Sequence, residues 1–455
     1  MLKPSIPKGT RDFSPDEILK REYITDTIKN IFKLYGYQPV ETPAMENLTT
    51  LLGKYGEEGD RLIFRILNSG DFLSSSSDEV LSNRDTAKLS SQICEKGLRY
   101  DLTVPFARYV VQHRDQIIFP FKRYQIQQVW RADKPQKGRY REFLQCDVDV
   151  IGSNSLLNEL ELIKVIDEIF SSLKINVLIK LNNRKVLSGI AEYTGAADHF
   201  NDITIALDKY EKLGWGKVSE ELIARGIGND VVKEFGNIVR VIEKNNPEKI
   251  QYLKSVLRDS DSGSNGVLEI EYLLSLLEPL NLKSKVVFDL TLARGLNYYT
   301  GTIIEVKSTD VAIGSICGGG RYDDLTGVFG LEGVSGVGVS FGADRIYDVM
   351  NQLDLFGSIA SSSARVLVLN FGDAEIPYAL KIIRMLRKRG ISSELYPDPV
   401  KIKKQMSYAD SKKIPYTIIA GDEEMKKNEL AIKVMSSGEQ QRILMKDLEY
   451  YDFTV

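Results

Sequence analysis

The stretch from Trp130 to Gly152, WRADKPQKGRYREFLQCDVDVIG, constrains the fold of this chain more than any other. Residues 142–150 alternate in polarity, which predicts a half-buried β-strand. One face carries apolar side chains, namely Leu144, Cys146, Val148 and Val150. The other face carries an aromatic ring, an amide and two carboxylates, namely Phe143, Gln145, Asp147 and Asp149.

The residues before this strand complete a predicted antiparallel hairpin. Residues 122–131 alternate less cleanly and end on Arg131. The intervening loop, residues 133–141, contains four basic residues, one proline and one glycine. A polar face with arginine at its mouth suits a polar ligand that carries phosphate. This stretch by itself leaves open the alternative of an ordinary hairpin with a solvated polar face.

The composition predicts a cytoplasmic globular protein. The 455 residues suffice for about three domains of roughly 150 residues each. Three cysteines without a CxxC pair, and only two histidines, argue against a disulfide framework and against a zinc or histidine-rich metal site. No apolar run approaches the roughly 20 residues that span a bilayer, and the N-terminus lacks the apolar core of a signal peptide. The formal net charge is −3, so contact with nucleic acid must use local basic patches.

Two features stand out in the first quarter of the chain. Residues 14–17, SPDE, have Ser as N-cap, Pro at the first helical position and Glu closing a capping box, and they predict a helix that Gly36 ends. Residues 68–92 are rich in serine and weakly patterned, so they are interpreted as a mobile surface insertion.

A strand-to-helix junction is predicted in residues 98–109, LRYDLTVPFARY. The strand ends near Asp101, and Pro105 lies in the first turn of the helix, with Thr103 near its cap. Asp101 and Thr103 are either cap residues or ligand contacts, and the segment alone does not decide between the two.

Residues 182–281 are mainly helical in pattern and lack glycine-rich segments, unlike the residues on either side. Helices are predicted at residues 218–224, 230–243, 249–257 and 268–277. The run DSDSGSN at residues 259–265 is predicted to be a loop. We therefore predict an inserted, mainly helical domain.

A glycine-rich region begins at Asp289. Residues 303–306 and 334–341 predict strands with small side chains, where something approaches the backbone closely. The three glycines at 318–320 are not a P-loop, because the following Lys-Ser/Thr is missing, and they do not fit the dinucleotide-binding fingerprint.

Arg345 falls in the first turn of a helix predicted after Phe341 and Gly342. A cation there opposes the helix dipole by about 0.3–1 kcal/mol, which indicates an anionic ligand nearby. An ion pair with Asp344 or Asp348 is the alternative explanation.

After a linker at residues 352–364, the pattern changes to βαβα. Strands are predicted at 365–371, 391–396 and 416–420, and helices at 376–388 and 400–413, which indicates a small α/β domain with a mainly parallel sheet. Residues 365–455 carry a net charge of about +3, and the basic side chains gather on the helices. They form either a nucleic-acid contact surface, the sharper hypothesis, or solvated helix faces.

Together these segments resemble the histidyl-tRNA synthetases, a family of class II enzymes, over nearly the whole chain. The segments LRYDLTVPFARY and LARGLNYYTG are similar to the two histidine-specific signatures and carry the assignment. Further likenesses are residues 7–12 to the opening of the family, 36–43 to motif 1, 122–152 to motif 2 and 334–350 to motif 3. The last 91 residues, 365–455, are similar to the anticodon-binding domain of class II synthetases.

The resemblance implies a fold and a set of domain boundaries. The fold is an α+β catalytic domain with an antiparallel sheet of the class II synthetase type, a helical insertion and the C-terminal α/β domain. The implied boundaries are 1–181 and 282–351 for the catalytic core, 182–281 for the insertion, 352–364 for the linker and 365–455 for the anticodon-binding domain. Motif 1 builds a homodimer interface in the family, so a homodimer is expected.

The resemblance also implies activation of L-histidine by ATP, followed by transfer to the 3′ end of tRNA-His. Arg131 would hold the α-phosphate and the amino acid carboxylate, and Arg294 would be a second cation on the α-phosphate. Phe143 would stack on adenine, Arg345 would contact adenine and the γ-phosphate, and Arg139 would complete the ATP contacts. Mg²⁺ is implied by ATP, without protein ligands that can be named.

Histidine recognition is expected to use side chains from three segments. The α-amino group and backbone of the amino acid would be bound by Asp101, Leu102, Thr103 and Gln145, with Arg131 and Arg294 on the carboxylate. The imidazole would be bound by Asp149 and Tyr299, in a pocket shaped by Tyr298 and Tyr322. A site that hydrogen-bonds a substrate N–H rejects analogues that lack it by about 10⁴–10⁵-fold, so no editing domain is required.

The tRNA acceptor end would meet Lys134, Gln136, Lys137 and Arg139 of the motif 2 loop, and the helical insertion would clamp the acceptor stem. Two departures from the family pattern, Asn297 in place of Asp and Asp344 in place of Glu, put only fine positioning in doubt. The alternative is a non-catalytic, histidine-sensing paralogue such as the regulatory subunit of ATP-phosphoribosyltransferase, which lacks the C-terminal domain.

Overall fold

The computed structural model describes residues 3–54, 56–74, 76–136, 138–293, 298–357 and 364–453, without the side chains of residues 56–58 and 87. The chain divides into two compact units. The first unit holds the residues up to Asp12 together with Arg21–Leu355, and the second holds Phe13–Lys20 and the residues from Phe356 on. The predicted boundaries at residues 181, 281 and 351 do not appear as divisions between units and stay predictions.

Helices of the described ranges are, in chain order, α1 (Pro15–Leu34), α2 (Leu48–Leu51), α3 (Gly56–Arg61), α4 (Asp78–Ser82), α5 (Thr86–Ile93), α6 (Thr103–Gln112), α7 (Leu157–Ser172), α8 (Arg184–Tyr193), α9 (Phe200–Leu207), α10 (Tyr210–Ala224), α11 (Asn229–Val239), α12 (Asn246–Val256), α13 (Asp261–Leu277), α14 (Ala343–Gln352), α15 (Ile376–Lys388), α16 (Ile402–Ser411) and α17 (Asp422–Lys427).

Strands of the same ranges are β1 (Gln38–Pro39), β2 (Met45–Asn47), β3 (Arg65–Ile66), β4 (Lys96–Leu98), β5 (Phe121–Trp130), β6 (Glu142–Ile151), β7 (Val177–Asn183), β8 (Lys285–Phe288), β9 (Thr302–Ser308), β10 (Cys317–Tyr322), β11 (Gly336–Gly342), β12 (Val366–Val368), β13 (Ser393–Leu395), β14 (Tyr416–Ile419), β15 (Glu429–Val434) and β16 (Gln440–Leu444).

An eight-stranded sheet dominates the first unit, in the order β1-β5-β6-β11-β10-β9-β7-β8. Its neighbouring strands are antiparallel except at the two ends, where β1 pairs with β5 and β7 pairs with β8 in parallel. A separate three-stranded sheet has the order β2-β4-β3. The predicted α+β class with an antiparallel catalytic sheet is confirmed.

The predicted hairpin is β5 and β6, joined by the loop at residues 133–141. Its register sets Arg123 opposite Asp149 and Gln127 opposite Gln145, so the polar side chains of both strands share one face. The apolar face packs against helices: Phe341 of β11 lies 5.8 Å from Phe32 of α1 and 5.7 Å from Phe170 of α7, between ring centroids. One face of the sheet therefore packs against helices, and the other carries the polar side chains of β5 and β6.

The polar face of β6 is buried as well. Gln145 is 9% exposed, and Asp147 and Asp149 are each 2% exposed. An ordinary hairpin with a solvated polar face is therefore excluded. Since burying carboxylates is unfavourable without partners, this face must supply charges and hydrogen bonds of its own.

The capping box predicted at the start of α1 is confirmed. Glu17 N donates to Ser14 Oγ at 3.4 Å, and Ser14 N donates to Glu17 Oε2 at 2.7 Å. Pro15 is the first helical residue, and Gly36 follows the helix with a φ of +79°.

The interpretation of residues 68–92 as a mobile surface insertion did not foresee the regular structure in that stretch. It contains α4 and α5, and each begins at a side-chain cap. Ser77 Oγ accepts from Val80 N at 3.3 Å, and Asp85 Oδ1 accepts from Lys88 N at 3.1 Å. Such short, mostly exposed helices carry too few apolar positions to produce a periodic signal.

The loop predicted at residues 259–265 is wrong, because α13 begins at Asp261. Ser260 Oγ accepts from Gly263 N at 2.9 Å and caps the helix. A Cβ at Gly263 would lie 2.9 Å from the Cα of Gly189, and a Cβ at Gly266 would lie 2.7 Å from Val186 N. The glycines thus permit close packing of α13 on α8, which local helix propensity does not reveal.

The second unit contains the C-terminal α/β fold that the sequence predicts. Its sheet has the order β13-β12-β14-β15-β16, with α15 at the predicted residues 376–388. The first three strands of this unit, β12, β13 and β14, are parallel as expected. β15 and β16 form an antiparallel hairpin beyond them, so the complete sheet is mixed.

Within the described ranges, no helix combines the length and apolar character needed to cross a lipid bilayer.

Candidate active site

The floor of the site is a strand of small residues. β11 sets Gly338, Ser340 and Gly342 opposite the polar side chains of β6. A Cβ at Gly338 would lie 1.9 Å from Asp149 Oδ1, so only glycine lets that carboxylate lie against the strand. A Cβ at Gly342 would meet no atom within 3.6 Å, its nearest neighbour being 3.7 Å away. The strand is therefore closely covered at Gly338, whereas a Cβ at Gly342 would make only ordinary van der Waals contacts.

Asp149 is the centre of a buried polar cluster. Its Oδ1 accepts from the Tyr322 hydroxyl at 2.6 Å. Arg123 Nη2 lies 2.8 Å from Asp149 Oδ2, an ion-pair distance, although the two atoms are not aligned as a hydrogen bond. Burial raises the pKa of Asp149, while Arg123 and the Tyr322 hydroxyl act in the opposite direction. Among the described residues Oδ2 has no aligned donor, so it can accept from an N–H group of a ligand.

Arg123 is a component of this cluster that the sequence interpretation missed. The side chain is fully buried, its Nη1 donates to Gln125 Oε1 at 3.2 Å, and its guanidinium carbon lies 4.1 Å from the centre of the Phe106 ring. The available signal was the alternation of residues 121–130, which places Arg123 on the same face as Gln125. An arginine inside a strand flanked by amides indicated a buried partner.

Asp101 acts as a helix cap and also reaches the tyrosine pocket. It is buried, and its Oδ1 accepts from Val104 N at 3.2 Å in the first turn of α6. The Tyr298 hydroxyl donates to Asp101 Oδ2 at 3.3 Å. The cap role raised for Asp101 is therefore confirmed, and its contact with a ligand stays a prediction. Thr103 is the first residue of α6, and Leu102 is completely buried, so a ligand contact from Leu102 must involve its backbone.

Three tyrosines gather beside Asp149. The ring of Tyr298 is edge-on to those of Tyr299 and Tyr322, with centroid distances of 5.0 and 6.1 Å. Burial, together with the nearby carboxylates, raises the pKa of Tyr299, so its hydroxyl is neutral at physiological pH. The structure thus brings together Asp149 and the three tyrosines predicted for imidazole recognition. Asp101, predicted to bind the α-amino group, lies beside Tyr298.

Arg131 lies at the end of β5, held by its own backbone and by an aromatic neighbour. Its backbone N donates to Arg141 O at 2.9 Å, and its Nε donates to Tyr100 O at 3.1 Å. The guanidinium carbon lies 4.2 Å from the centre of the Tyr100 ring and 5.2 Å from that of Phe143. Arg131 and Phe143, predicted to contact phosphate and adenine, are therefore adjacent.

Arg345 is placed as predicted, in the first turn of α14. Its Nε donates to Gly138 O at 2.8 Å, and its Nη1 donates to Ser315 O at 2.6 Å. The Asp344 carboxylate instead pairs with Arg11 and with Arg21, the latter at 2.5 Å. Arg345 is thus fixed by two backbone carbonyls, one of them in the motif 2 loop.

The predicted tRNA-contacting residues occupy an exposed loop. Lys134, Gln136 and Arg139 are exposed, whereas Lys137 lies outside the described residues. Gln136 N donates to Arg139 O at 3.1 Å, and Arg139 N donates to Gln136 O at 2.9 Å. Arg139 Nη1 lies 3.7 Å from Asp133 Oδ1, a weak exposed pairing.

The N-terminal segment fixes the base of this loop, which sequence reasoning did not foresee. Arg141 N donates to Gly9 O at 2.9 Å, and Arg141 Nε donates to Asp133 O at 3.0 Å. Gly9 has a φ of +92°, and a Cβ there would lie 2.9 Å from the Arg141 side chain. The guanidinium carbon of Arg11 lies 3.4 Å from the centre of the Tyr140 ring. The family-like opening at residues 7–12 thus has a structural partner.

Gln145 faces β11 rather than solvent. Its Nε2 donates to Ser340 Oγ at 2.8 Å. Its Oε1 is buried and has no hydrogen-bond partner among the described residues. An amide oxygen in that situation accepts from a ligand donor or from water.

Arg294 lies outside the described residues, as do Gly295, Leu296 and Asn297. The residues just before it are ordered by β7. Asn182 Nδ2 donates to Leu292 O at 2.8 Å and to Leu290 O at 3.4 Å, and Asp289 Oδ1 accepts from Thr291 N at 3.0 Å. The chain therefore enters the Arg294 segment from a fixed position.

The described residues contain no group of three or more His, Cys, Asp or Glu side chains arranged to hold a metal ion. A Mg²⁺ bound only by side chains does not fit this arrangement. Mg²⁺ that accompanies a nucleotide is held largely by phosphate oxygens and water, so it does not need such a group.

Comparison with known proteins gives two matches to family models. The family described as Histidyl-tRNA synthetase matches residues 9–82 and 66–346, and the one described as Anticodon binding domain matches residues 364–451. The histidine–tRNA ligase of Phocaeicola vulgatus is 57% identical over 446 residues, 98% of each chain. That of Porphyromonas gingivalis is 55% identical over 443 residues, 97% of each chain.

Solved structures agree with these matches. The crystal structure of histidyl-tRNA synthetase from a Nostoc species superposes with a TM-score of 0.83 at 30% identity and covers 99% of both chains. A structure described as an ATP phosphoribosyltransferase regulatory subunit/histidyl-tRNA synthetase from Bacillus halodurans has a TM-score of 0.70 at 20% identity, covering 89% of this chain and 97% of its own. The second likeness concerns the fold alone.

Proposed function

Since the chain belongs to the histidyl-tRNA synthetase family and acts as a histidine–tRNA ligase, we propose that both steps of its reaction take place over the polar face of the large sheet. In the first step a carboxylate oxygen of L-histidine attacks the α-phosphorus of ATP, forming histidyl-adenylate and releasing pyrophosphate. In the second step a hydroxyl at the 3′ end of tRNA-His attacks the activated carbonyl carbon, forming an ester and releasing AMP and a proton.

The cluster around Asp149 is the observation that carries this proposal. Its Oδ2 is a buried acceptor without an aligned donor among the described side chains, and it takes an N–H of the imidazole ring. Tyr299 takes the other ring nitrogen, and Tyr298 and Tyr322 form the walls. An analogue without the N–H leaves the buried Oδ2 of Asp149 without an aligned hydrogen bond, which accounts for selection of histidine.

The amino acid backbone is bound beside the imidazole pocket. Asp101 and Thr103, together with the backbone of Leu102, hold the α-ammonium group at the start of α6, where Asp101 is already fixed by Val104 N. The buried Oε1 of Gln145 accepts from the same ammonium. These contacts orient the carboxylate toward Arg131.

Phosphate and adenine are bound at the mouth of the β5–β6 hairpin. Arg131 bridges the α-phosphate and the histidine carboxylate. Phe143, whose ring centre lies 5.2 Å from the guanidinium carbon of Arg131, stacks on adenine. Arg345 and Arg139 contact the outer part of ATP, and Arg294 is a second cation on the α-phosphate. The substrate carboxylate is itself the nucleophile, so these cations act by positioning and by stabilising charge.

Transfer to tRNA requires surfaces outside the small-molecule site. Lys134, Gln136, Lys137 and Arg139 contact the acceptor end, and the helices within residues 182–281 clamp the acceptor stem. Residues 365–455 bind the anticodon region. Our proposal includes a homodimer built through residues 36–43, a cytoplasmic location, and Mg²⁺ bound with ATP. We assign Mg²⁺ no protein ligands and derive no step from it.

Pyrophosphate exchange tests the activation step directly. The purified chain is incubated with ATP, labelled pyrophosphate and each amino acid in turn, with and without chelator. We expect exchange with histidine alone and its loss on chelation. Absence of histidine-dependent exchange, with the protein folded, would contradict the proposed site and favour the histidine-sensing paralogue.

Arg294→Ala tests the second cation. Loss of an arginine that stabilises charge in the transition state is expected to lower the exchange rate at least about 100-fold. Thermal unfolding and oligomeric state should match those of the unchanged protein. Near-normal exchange would remove Arg294 from the catalytic machinery.

A further inference from the structure

Gln145 has a side-chain amide whose orientation is set from one side only. Its Nε2 donates to Ser340 Oγ at 2.8 Å, across the β6–β11 pairing. Its Oε1 is then directed away from Ser340, and this atom is the one that lacks a partner among the described residues. If the amide were reversed, Nε2 would face the ligand and would repel an ammonium group.

Ser340 has only one proton to donate, so what accepts that proton decides how Gln145 is held. In the β6–β11 register Ser340 stands directly opposite Asp147. Asp147 is 2% exposed, and the neighbouring Ser340 hydroxyl lowers the pKa of its carboxyl. When Asp147 is ionised it only accepts hydrogen bonds, so in that form Ser340 donates to Asp147 and is left to accept from Gln145.

We propose that Asp147 and Ser340 are positioning residues that fix the side-chain amide of Gln145 with its oxygen toward the α-ammonium group of the bound amino acid. The direction of donation runs from Gln145 Nε2 to Ser340 Oγ and from the Ser340 hydroxyl to the Asp147 carboxylate. This inference rests on the proposed function, since it assumes that histidine occupies the polar face.

The surroundings of Asp147 support a role beyond packing. Asp147 Oδ1 is also buried without a hydrogen-bond partner in the described part of the chain. Arg123 of β5 stabilises the charged form of Asp147, whereas Asp149 and Asp101 oppose it. Keeping a second carboxylate beside Asp149 is unfavourable for the fold, and holding the Ser340 hydroxyl in one direction gives it a function.

Ser340→Ala tests the proposal because it removes the acceptor for Gln145 Nε2 without adding bulk. Two competitive inhibitors of histidine-dependent exchange serve as probes. Histidinol has the ammonium group and the imidazole, and 3-(imidazol-4-yl)propanoate has the imidazole without the ammonium group. We expect the inhibition constant for histidinol to rise about tenfold, as for loss of one hydrogen bond to a charged group, and that for the propanoate to change less than about twofold.

A double-mutant comparison separates positioning from a general packing defect. Gln145→Ala should weaken histidinol binding, and adding Ser340→Ala to it should have little further effect, because both act on the same contact. Ser340→Cys has a weak acceptor of similar size, so its inhibition constant for histidinol should fall between those of the unchanged protein and Ser340→Ala. Equal weakening of both inhibitors, no weakening of either, or full additivity in the double variant would overturn the proposal.

The unchanged protein distinguishes this inference from the proposed function. If it shows no exchange with histidine, the function itself fails. If exchange is normal and histidinol and the propanoate respond alike to Ser340→Ala, only the role of Ser340 and Asp147 fails.

Discussion

The Asp147 carboxyl is buried, and burial disfavours its charged form. Burial is the main influence on this carboxyl and raises its pKa from 3.8 to about 7, with Asp149 adding to the rise and Arg123 opposing it. When the pKa of a carboxyl is higher in the folded than in the unfolded state, the group lowers the free energy of unfolding at any pH where it is ionised. Its contribution therefore falls as the pH rises from about 4 to about 7, and then stays constant.

Asp147→Asn should relieve that unfavourable ionisation. The gain in melting temperature over the unchanged protein is expected to grow between pH 5 and pH 7 and to level off above, reaching about 3 °C or more at pH 8. Thermal melts of both proteins across this range measure it. Asp198→Asn, at an exposed position, is the matched control and should show no such trend. A gain that is the same at every pH would contradict the argument.

Single residues of the site were predictable where a pattern or a signature marked them. Period two placed Gln145, Asp147 and Asp149 on one face, and the family signatures pointed to Asp101 and the tyrosines. Alternation places Arg123 on the same face as Gln125, but its pairing with Asp149 depends on the register of two strands and was missed. Ser340 was equally hidden, since a serine among glycines has no local signal until the strand register is known.

At the scale of elements, β7 supports the loop that leads to Arg294. Asn182, the penultimate residue of that strand, is completely buried and donates to the carbonyls of Leu290 and Leu292. Its neighbour Asn183 is equally buried but accepts from Lys185 N at 2.9 Å and so caps α8. Two adjacent asparagines therefore hold two different elements.

Asn182→Ala should lower the turnover of histidine-dependent exchange about tenfold or more, because two buried carbonyls lose their donor and the loop before Arg294 is released. Asn183→Ala is the matched control, since it removes a cap from α8 and should reduce stability with turnover retained. Turnover, KM for ATP and melting temperature are measured for both. Equal losses of turnover in the two variants would show a general defect rather than a specific support.

Elements with strong local signals were predicted well, and those set by tertiary contact were not. The hairpin, α1, α14 and α15 were expected from capping residues and periodicity. The start of α13 was missed because Gly263 and Gly266 suggest a loop, whereas their real role is close packing on α8. The strands β15 and β16 were also not foreseen. Because they are antiparallel, the C-terminal sheet is mixed and not mainly parallel.

At the scale of the whole molecule, the two parts of the reaction call on different surfaces. Activation is proposed to use buried groups of the first unit, and recognition of tRNA is proposed to use exposed basic side chains, including those of the second unit. On α15 the exposed face presents Lys381, Arg384 and Lys388, at helical spacing.

Reversing these three charges to glutamate should raise the KM for tRNA-His in aminoacylation about tenfold or more, with pyrophosphate exchange within about twofold of normal. The matched control reverses three exposed lysines of the same unit elsewhere, namely Lys426, Lys427 and Lys446. A specific contact predicts a much smaller effect from the control. An equal effect would mean that α15 contributes only to the overall charge.

The burial of the polar cluster around Asp149 also determines how each half of the reaction responds to salt. Mobile counter-ions shield charges that they can approach, over a Debye length of about 8 Å at physiological ionic strength. Arg123 is completely buried and Asp149 is 2% exposed, whereas the Arg139 side chain is 45% exposed. Ions can therefore reach the side chain proposed to contact tRNA, and they do not reach those proposed to select the amino acid. Added salt should slow charging long before it alters the choice of histidine.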